Sequence, residues 1–167
     1  TIALAEQGAQ VVGIDVDEPS LAVARRRAQL YDLDVEFIAT NAVDVEHRVG
    51  ERAFDFIIFY ASLEHMLHRE RIASLETAWR MLAAGSHLCV VETPNRLWYF
   101  DAHTSRLPFY HWLPDDLAFD YSKFSPRGLF RDHYRERTDD AMTHFLRRGR
   151  GVSYHEFELA IGPAETL

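Results

Sequence analysis

Asp15 closes the run Val11-Val12-Gly13-Ile14-Asp15, a short buried-strand pattern with a well-marked helix start directly after it. A carboxylate at the C-terminal lip of a strand in an open α/β sheet can accept hydrogen bonds from both hydroxyls of a nucleotide ribose. The same residue could equally belong to an ordinary β-turn-α corner and do no more than cap the helix. A second group with chemistry in it is Glu64, His65 and His68, which could share a helix face through i, i+3 and i, i+4 spacing. The nine histidines of the chain raise the question of a metal. The two-histidine H-E-x-x-H spacing that makes a helical zinc site persuasive is missing, however. Asp101 and His103 could add ligands only if the fold brought their loops together, so no metal is expected. Cys89 lies in the apolar run Leu88 to Val91 and reads as a small core residue.

The elements that must hold these groups follow from apolar periodicity. The chain opens in a helix, Thr1 to Gln7, closed by Gly8, and a strand follows at Gln10 to Asp15. In the helix 18–30, Asp17 can cap, Pro19 falls in the first turn, and Leu21, Ala24 and Ala28 form a stripe at helical spacing. A strand at Val35 to Ala39, a polar crossing with room for a helix, and the near-continuous apolar run Phe54 to Tyr60 come next. Runs of that kind suit a strand covered on both faces. A helix 70–84 stopping at Gly85 and a strand His87 to Glu92 complete an alternation that predicts a mostly parallel sheet with helices on both faces.

Beyond Thr93 the alternation stops. Pro94, Pro108 and Pro114 punctuate a stretch rich in Trp, Tyr, Phe and His, and helices are expected at 115–123, 126–134 and 139–148. Trp98, Tyr99, Phe100, Phe109, Tyr110 and Trp112 could form an aromatic wall for an acceptor, or simply pack this part onto the sheet. In Arg147-Arg148-Gly149-Arg150-Gly151, basic residues oppose a helix dipole and glycine ends the helix.

Composition narrows the function classes. The chain has 167 residues, 47% of them hydrophobic, and a formal charge of -8, which argues against a general affinity for nucleic-acid backbone. No apolar run approaches the roughly 18 to 20 residues of a membrane span, and no signal peptide is evident. A cytoplasmic protein without stable membrane insertion is the expectation.

Val12-Gly13-Ile14-Asp15, Thr40-Asn41-Ala42, and Phe54-Asp55-Phe56-Ile57-Ile58 running to Leu63-Glu64-His65-Met66 together resemble the class I S-adenosylmethionine-dependent methyltransferases. Glu64-His65 resembles the branch that contains the ubiquinone-biosynthesis O-methyltransferases. The resemblance implies a Rossmann-like fold and S-adenosyl-L-methionine as cofactor. Asp15, with Val16 beside it, would hold the ribose. Asn41 would stand where the family usually has an acid on the adenine amino group, since an amide oxygen can accept the same bond. Ala42 would lie against the adenine edge, and the segment Tyr60 to His65, with Tyr60 and Glu64, would line the methionine end. Residues 1–95 would form a partial cofactor-binding core and 96–167 a mainly helical insertion or cap on the substrate side.

The family's first strand and Gly-rich loop would precede Thr1. By that resemblance the chain is an N-terminally truncated fragment, expected to bind cofactor weakly or not at all by itself. Methyl transfer from a sulfonium is an in-line displacement, so alignment and exclusion of water are the main tasks. Where the acceptor is a hydroxyl, a histidine near neutrality suits the proton, and His65 and His103 are the candidates. The acceptor is expected to be a small molecule, a sugar or a lipid-linked glycan, methylated at oxygen. A nicotinamide-dependent oxidoreductase would read the ribose equally well, but no tyrosine here has a lysine four residues later. The alternative from another class is a non-catalytic or degenerate methyltransferase-like binding domain.

Overall fold

A computed structural model of the chain describes residues 1–134 and 136–163, the side chains of Leu129 and His133 apart. The chain forms two compact units, Thr1–Ala53 and Phe54–Leu167. In the first, α1 (Ile2–Glu6), β1 (Val11–Asp15), α2 (Glu18–Leu30), β2 (Val35–Ala39) and α3 (Val45–Val49) follow in order. β1 and β2 pair in parallel, Val11 opposite Val35 and Asp15 opposite Ala39. α2 starts as its sequence dictates. Asp17 accepts the Ser20 N–H at 2.9 Å, Pro19 needs no amide partner in the first turn, and Leu21 and Ala28 turn inward and are buried. Gly13 lets the Phe37 ring cross β1, for a β-carbon there would lie 2.8 Å from Phe37 Cδ1. The helix foreseen in the polar crossing is α3, which buries Val45 and Val49 one turn apart.

The second unit runs β3 (Phe54–Tyr60), a 3₁₀ turn (Leu63–His65), α4 (His68–Met81), β4 (Leu82–Val91), a 3₁₀ turn (Tyr110–Trp112), α5 (Asp115–Tyr121), α6 (Gly128–His133), α7 (Asp139–Leu146) and α8 (Tyr154–Ile161). β3 and β4 are parallel, in register from Phe56–His87 to Tyr60–Val91. The helix expected to reach residue 84 stops at Met81. Leu82 pairs instead with Phe54, and the register shifts before it resumes at His87. Gly85, at a φ of 82°, supplies the left-handed turn of this irregular stretch. Strand pairing of Leu82 thus overrides the helical stripe. α8 follows no expected helix, although Ser153 and Glu156 form a capping box at its start.

Among the described residues the strands form two parallel pairs, β1-β2 and β3-β4. β3 corrects the expectation of a strand covered on both faces: Phe56, Ile58 and Tyr60 are exposed, because β3 makes its contacts mainly with β4 beside it and α4 packs chiefly on α8. Cys89 is likewise half-buried rather than in the core. The main apolar cluster lies among the later helices, where Tyr110, Phe119, Phe130, Tyr134 and Phe145 interlock with Leu107 and Ala118. Phe145 meets Tyr110, Phe119 and Tyr134 edge to face, with centroids 5.1 to 6.1 Å apart. Among the described residues no helix is long and apolar enough to cross a membrane.

Candidate functional site

In the first unit the candidate groups sit on the turns after the two strands. Asp15 Oδ1 accepts the Asp17 N–H at 2.9 Å, which braces the carboxylate at the strand end. The residue is exposed, and Oδ2 keeps its lone pairs for a ligand. Val16 is exposed beside it. Two residues past the end of the neighbouring strand, Asn41 is fixed by Asp44: Nδ2 donates to Asp44 Oδ2 at 2.7 Å and Oδ1 accepts the Asp44 N–H at 2.8 Å. That Asx turn starts α3, and it leaves the amide oxygen one further lone pair. Ala42 is half-buried in the same turn.

In the second unit the ends of β3 and β4 are conformationally unusual. Ala61, at a φ of 45°, and Glu92, at 57°, both lie in the left-handed region, which costs non-glycine residues energy and concentrates at functional sites. The Ala61 N–H bonds Val91 O at 2.9 Å, so the two strained residues end neighbouring strands. Tyr60 donates its hydroxyl to Glu92, which holds the phenol above its ordinary pKa.

Glu64 and His65 follow on the 3₁₀ turn. Glu64 is wholly buried. Its Oε2 accepts the Thr93 hydroxyl at 3.0 Å, while Oε1 has no hydrogen-bond donor. His65 Nδ1 donates to the carbonyl of Arg147 at 2.9 Å, which leaves Nε2 as the ring acceptor, 3.7 Å from Glu64 Oε1. A clasp from the far end of the chain holds this turn in place. The Arg150 N–H bonds Glu64 O at 2.9 Å, and buried Arg71 donates to Leu63 O, Arg150 O and Glu156 Oε2, the last at 2.7 Å. Carbonyls and a carboxylate together satisfy the guanidinium that burial strips of water.

His103 stands on a loop organised by Asp101, which accepts the backbone N–H groups of His103, Thr104 and Ser105. The His111 ring faces Asp101 Oδ1 at 3.2 Å, and because His111 Nδ1 accepts the Gly151 N–H, its proton lies on Nε2, toward the carboxylate. Burial pushes the Asp101 carboxyl up, but the His111, Thr104 and Ser105 donors outweigh it and hold the group well below the usual carboxylate range. The loop brings the His103 ring to 6.0 Å from that of His65. Glu64, His65 and His103 each offer a ligand atom within 4.8 Å of the others, whereas His68 lies 3.4 Å from Glu156 instead. A concavity of about 290 Å³ opens beside His103, walled by Glu92, Thr93, Trp98 and Phe100. A larger hollow of about 460 Å³, between α5 and α6, holds paired charges such as Arg131–Asp132 and none of the candidate residues.

The aromatic stretch divides. Tyr110 is core, whereas Trp98, Tyr99, Phe100, Phe109 and Trp112 are exposed, Trp98 by 62%. Of the basic cluster, Arg150 is buried, donating to Tyr110 O and Leu113 O. Gly151 fits because a β-carbon would meet Arg96 Cα at 2.8 Å. Thr93, His111 and the Arg147 carbonyl were not foreseen as parts of the site, and Asp101, weighed only as a further ligand, instead accepts the loop amides. The Asp101-x-His103-Thr104 pattern was the one local signal, as an Asx-type loop.

Paired parallel strands joined through helices define a Rossmann-like α/β fold. The chain belongs to the family described as a methyltransferase domain, whose pattern matches residues 1–85. It is 36% identical over 87 residues to demethylmenaquinone methyltransferase of Thermus thermophilus, covering 52% of this chain and 38% of that protein. The fold is similar to that of PKMT2 from Rickettsia typhi, solved in complex with AdoHcy, with a TM-score of 0.54 and 16% identity over 95% of this chain and 35% of that one. The chain therefore spans little more than a third of either protein's length.

Proposed function

We propose that the protein transfers a methyl group from S-adenosylmethionine to an oxygen of a small-molecule, sugar or lipid-linked acceptor. The observation that carries the reading is the Asp15 carboxylate, exposed and braced at the end of β1 within the region matching the methyltransferase family. Asp15 fits a ribose diol, with one oxygen held by the Asp17 N–H and the other open. Val16 and Ala42 offer apolar surface to the adenosine, and Asn41 keeps a lone pair for its amino group. S-adenosylmethionine, when bound, supplies an electrophilic methyl on a sulfonium. By resemblance Tyr60 belongs to the methionine end, whereas Glu64, wholly buried, offers it no surface.

His65 is the better placed of the two candidate bases. Its Nδ1 proton is committed to Arg147 O, so Nε2 is the atom that takes a proton from an acceptor hydroxyl. His103 helps to shape the acceptor side. The exposed rings of Trp98, Phe109 and Trp112 suit a flat or apolar acceptor, a class that includes the demethylmenaquinone named for the Thermus relative. The test is calorimetric titration of S-adenosylhomocysteine into the intact encoded protein and its Asp15→Ala variant. Micromolar binding lost in the variant is the expected result. No binding by the intact protein overturns the reading in favour of a non-catalytic domain.

A further inference from the structure

We infer that Glu64, His65 and His103 form a binding site for one divalent transition-metal ion of the zinc type. The sequence spacing predicts no metal, and the fold supplies what the spacing lacks by bringing the 101–105 loop to the turn after β3. Three observations converge. Glu64 is wholly buried, and its Oε1, without any hydrogen-bond donor, is aimed at the cluster. An unpaired carboxylate oxygen in that position is costly unless a positive charge meets it.

His65 Nε2 faces the same oxygen at 3.7 Å, and the Nδ1–H bond to Arg147 O makes Nε2 a lone-pair donor. A carboxylate oxygen and an imidazole lone pair that face each other are satisfied by a shared positive charge, a proton or a metal ion. A backbone carbonyl on the far nitrogen is also the usual support for a metal-bound histidine. His103 completes the set, its ligand atom within 4.8 Å of both others.

A tetrahedral zinc ion with bonds of about 2.0 to 2.1 Å spaces its ligands about 3.3 Å apart. Glu64 and His65 already approach that spacing, and the exposed His103 closes the remainder by turning its ring. Two imidazoles and one carboxylate favour zinc-like ions over magnesium or calcium, which prefer oxygen. Three protein ligands leave coordination positions open, so the ion can take an oxygen donor from solvent or from an acceptor, and while it is bound His65 Nε2 serves as its ligand and not as a base. That last use rests on the proposed methyl transfer; the binding of the ion does not.

The experiment is equilibrium dialysis of the chelator-stripped intact protein against Zn²⁺, with Co²⁺ titration followed through its visible ligand-field bands. The expected result is one equivalent of Zn²⁺, weakened at least about tenfold in both His103→Ala and His65→Ala. His103→Ala removes an exposed side chain, and its unchanged circular dichroism shows that the loss is not unfolding. Absence of stoichiometric binding, or binding as tight in either histidine variant as in the wild type, overturns the inference. Neither result bears on S-adenosylhomocysteine binding, so failure here is distinct from failure of the methyl-transfer reading.

Discussion

The candidate groups of the two units are held in opposite ways. In the first, Asp15 and Asn41 sit on exposed turns and are fixed by partners two and three residues away. In the second, His65 is fixed by a carbonyl 82 residues further on, and the neighbouring Glu64 is sealed from water. A locally braced group forms as soon as its turn forms and stays open to a large, polar ligand such as a nucleoside. A group braced at long range exists only when the whole unit is folded, and it can keep an unpaired carboxylate oxygen dry. The first arrangement suits recognition. The second suits chemistry that requires a protected, pre-positioned charge.

The contrast can be broken most forcefully at the helical core. Phe145→Ala removes a fully buried ring from the cluster of Tyr110, Phe119 and Tyr134, with an expected loss of about 3 to 5 kcal/mol in urea unfolding. Leu21→Ala in the first unit should cost less, about 2 kcal/mol, because α2 is open to solvent on its other side. Equal losses would erase the distinction between the units.

Asp101→Ala comes next, at about 3 kcal/mol, since it strands His111 and three loop amides. The acid dependence follows from the depressed carboxyl. Its stabilisation is complete at neutral pH, declines as pH falls below the ordinary carboxylate value of 3.8 and is lost below the folded value. The stability gap between the wild type and Asp101→Asn should therefore narrow on acidification. A gap that stays constant down to the acid transition would remove Asp101 as the centre of the loop.

Gly149→Ala should cost about 1 to 3 kcal/mol. Its φ is 129°, and the added carbon would fall 2.6 Å from Thr104 Oγ1, so the His103 ring resonances should shift with it. The smallest effect belongs to Asp17→Ala in the first unit. It frees the Ser20 amide, should speed hydrogen exchange there and should cost about 1 kcal/mol in urea unfolding.

What was legible in the sequence follows the same division. The bounds of α2, β2 and β3 and the Asp17 cap depend on neighbours along the chain, and they lie where periodicity and capping chemistry put them. The early onset of β4 was illegible, because it depends on Leu82 finding Phe54. α8 carried a readable signal in Ser153-x-x-Glu156. Arg150 reads as one more charge at a helix end, and only carbonyls 37 and 40 residues upstream reveal it as a buried strut. The meeting of His103 with Glu64 and His65 was illegible for the same reason, since no local pattern couples the loop after β4 to the turn after β3.

The clasp formed by residues 147–156 has a consequence in time. Synthesis is vectorial, and Glu64 and His65 leave the ribosome long before the Arg147 carbonyl, the Arg150 amide and Glu156 that secure their turn. Through most of translation the unit holds a histidine and a carboxylate that have not yet been set against each other. The candidate pair is thus set late, and a single proteolytic cut near Gly149 would release it without touching either residue.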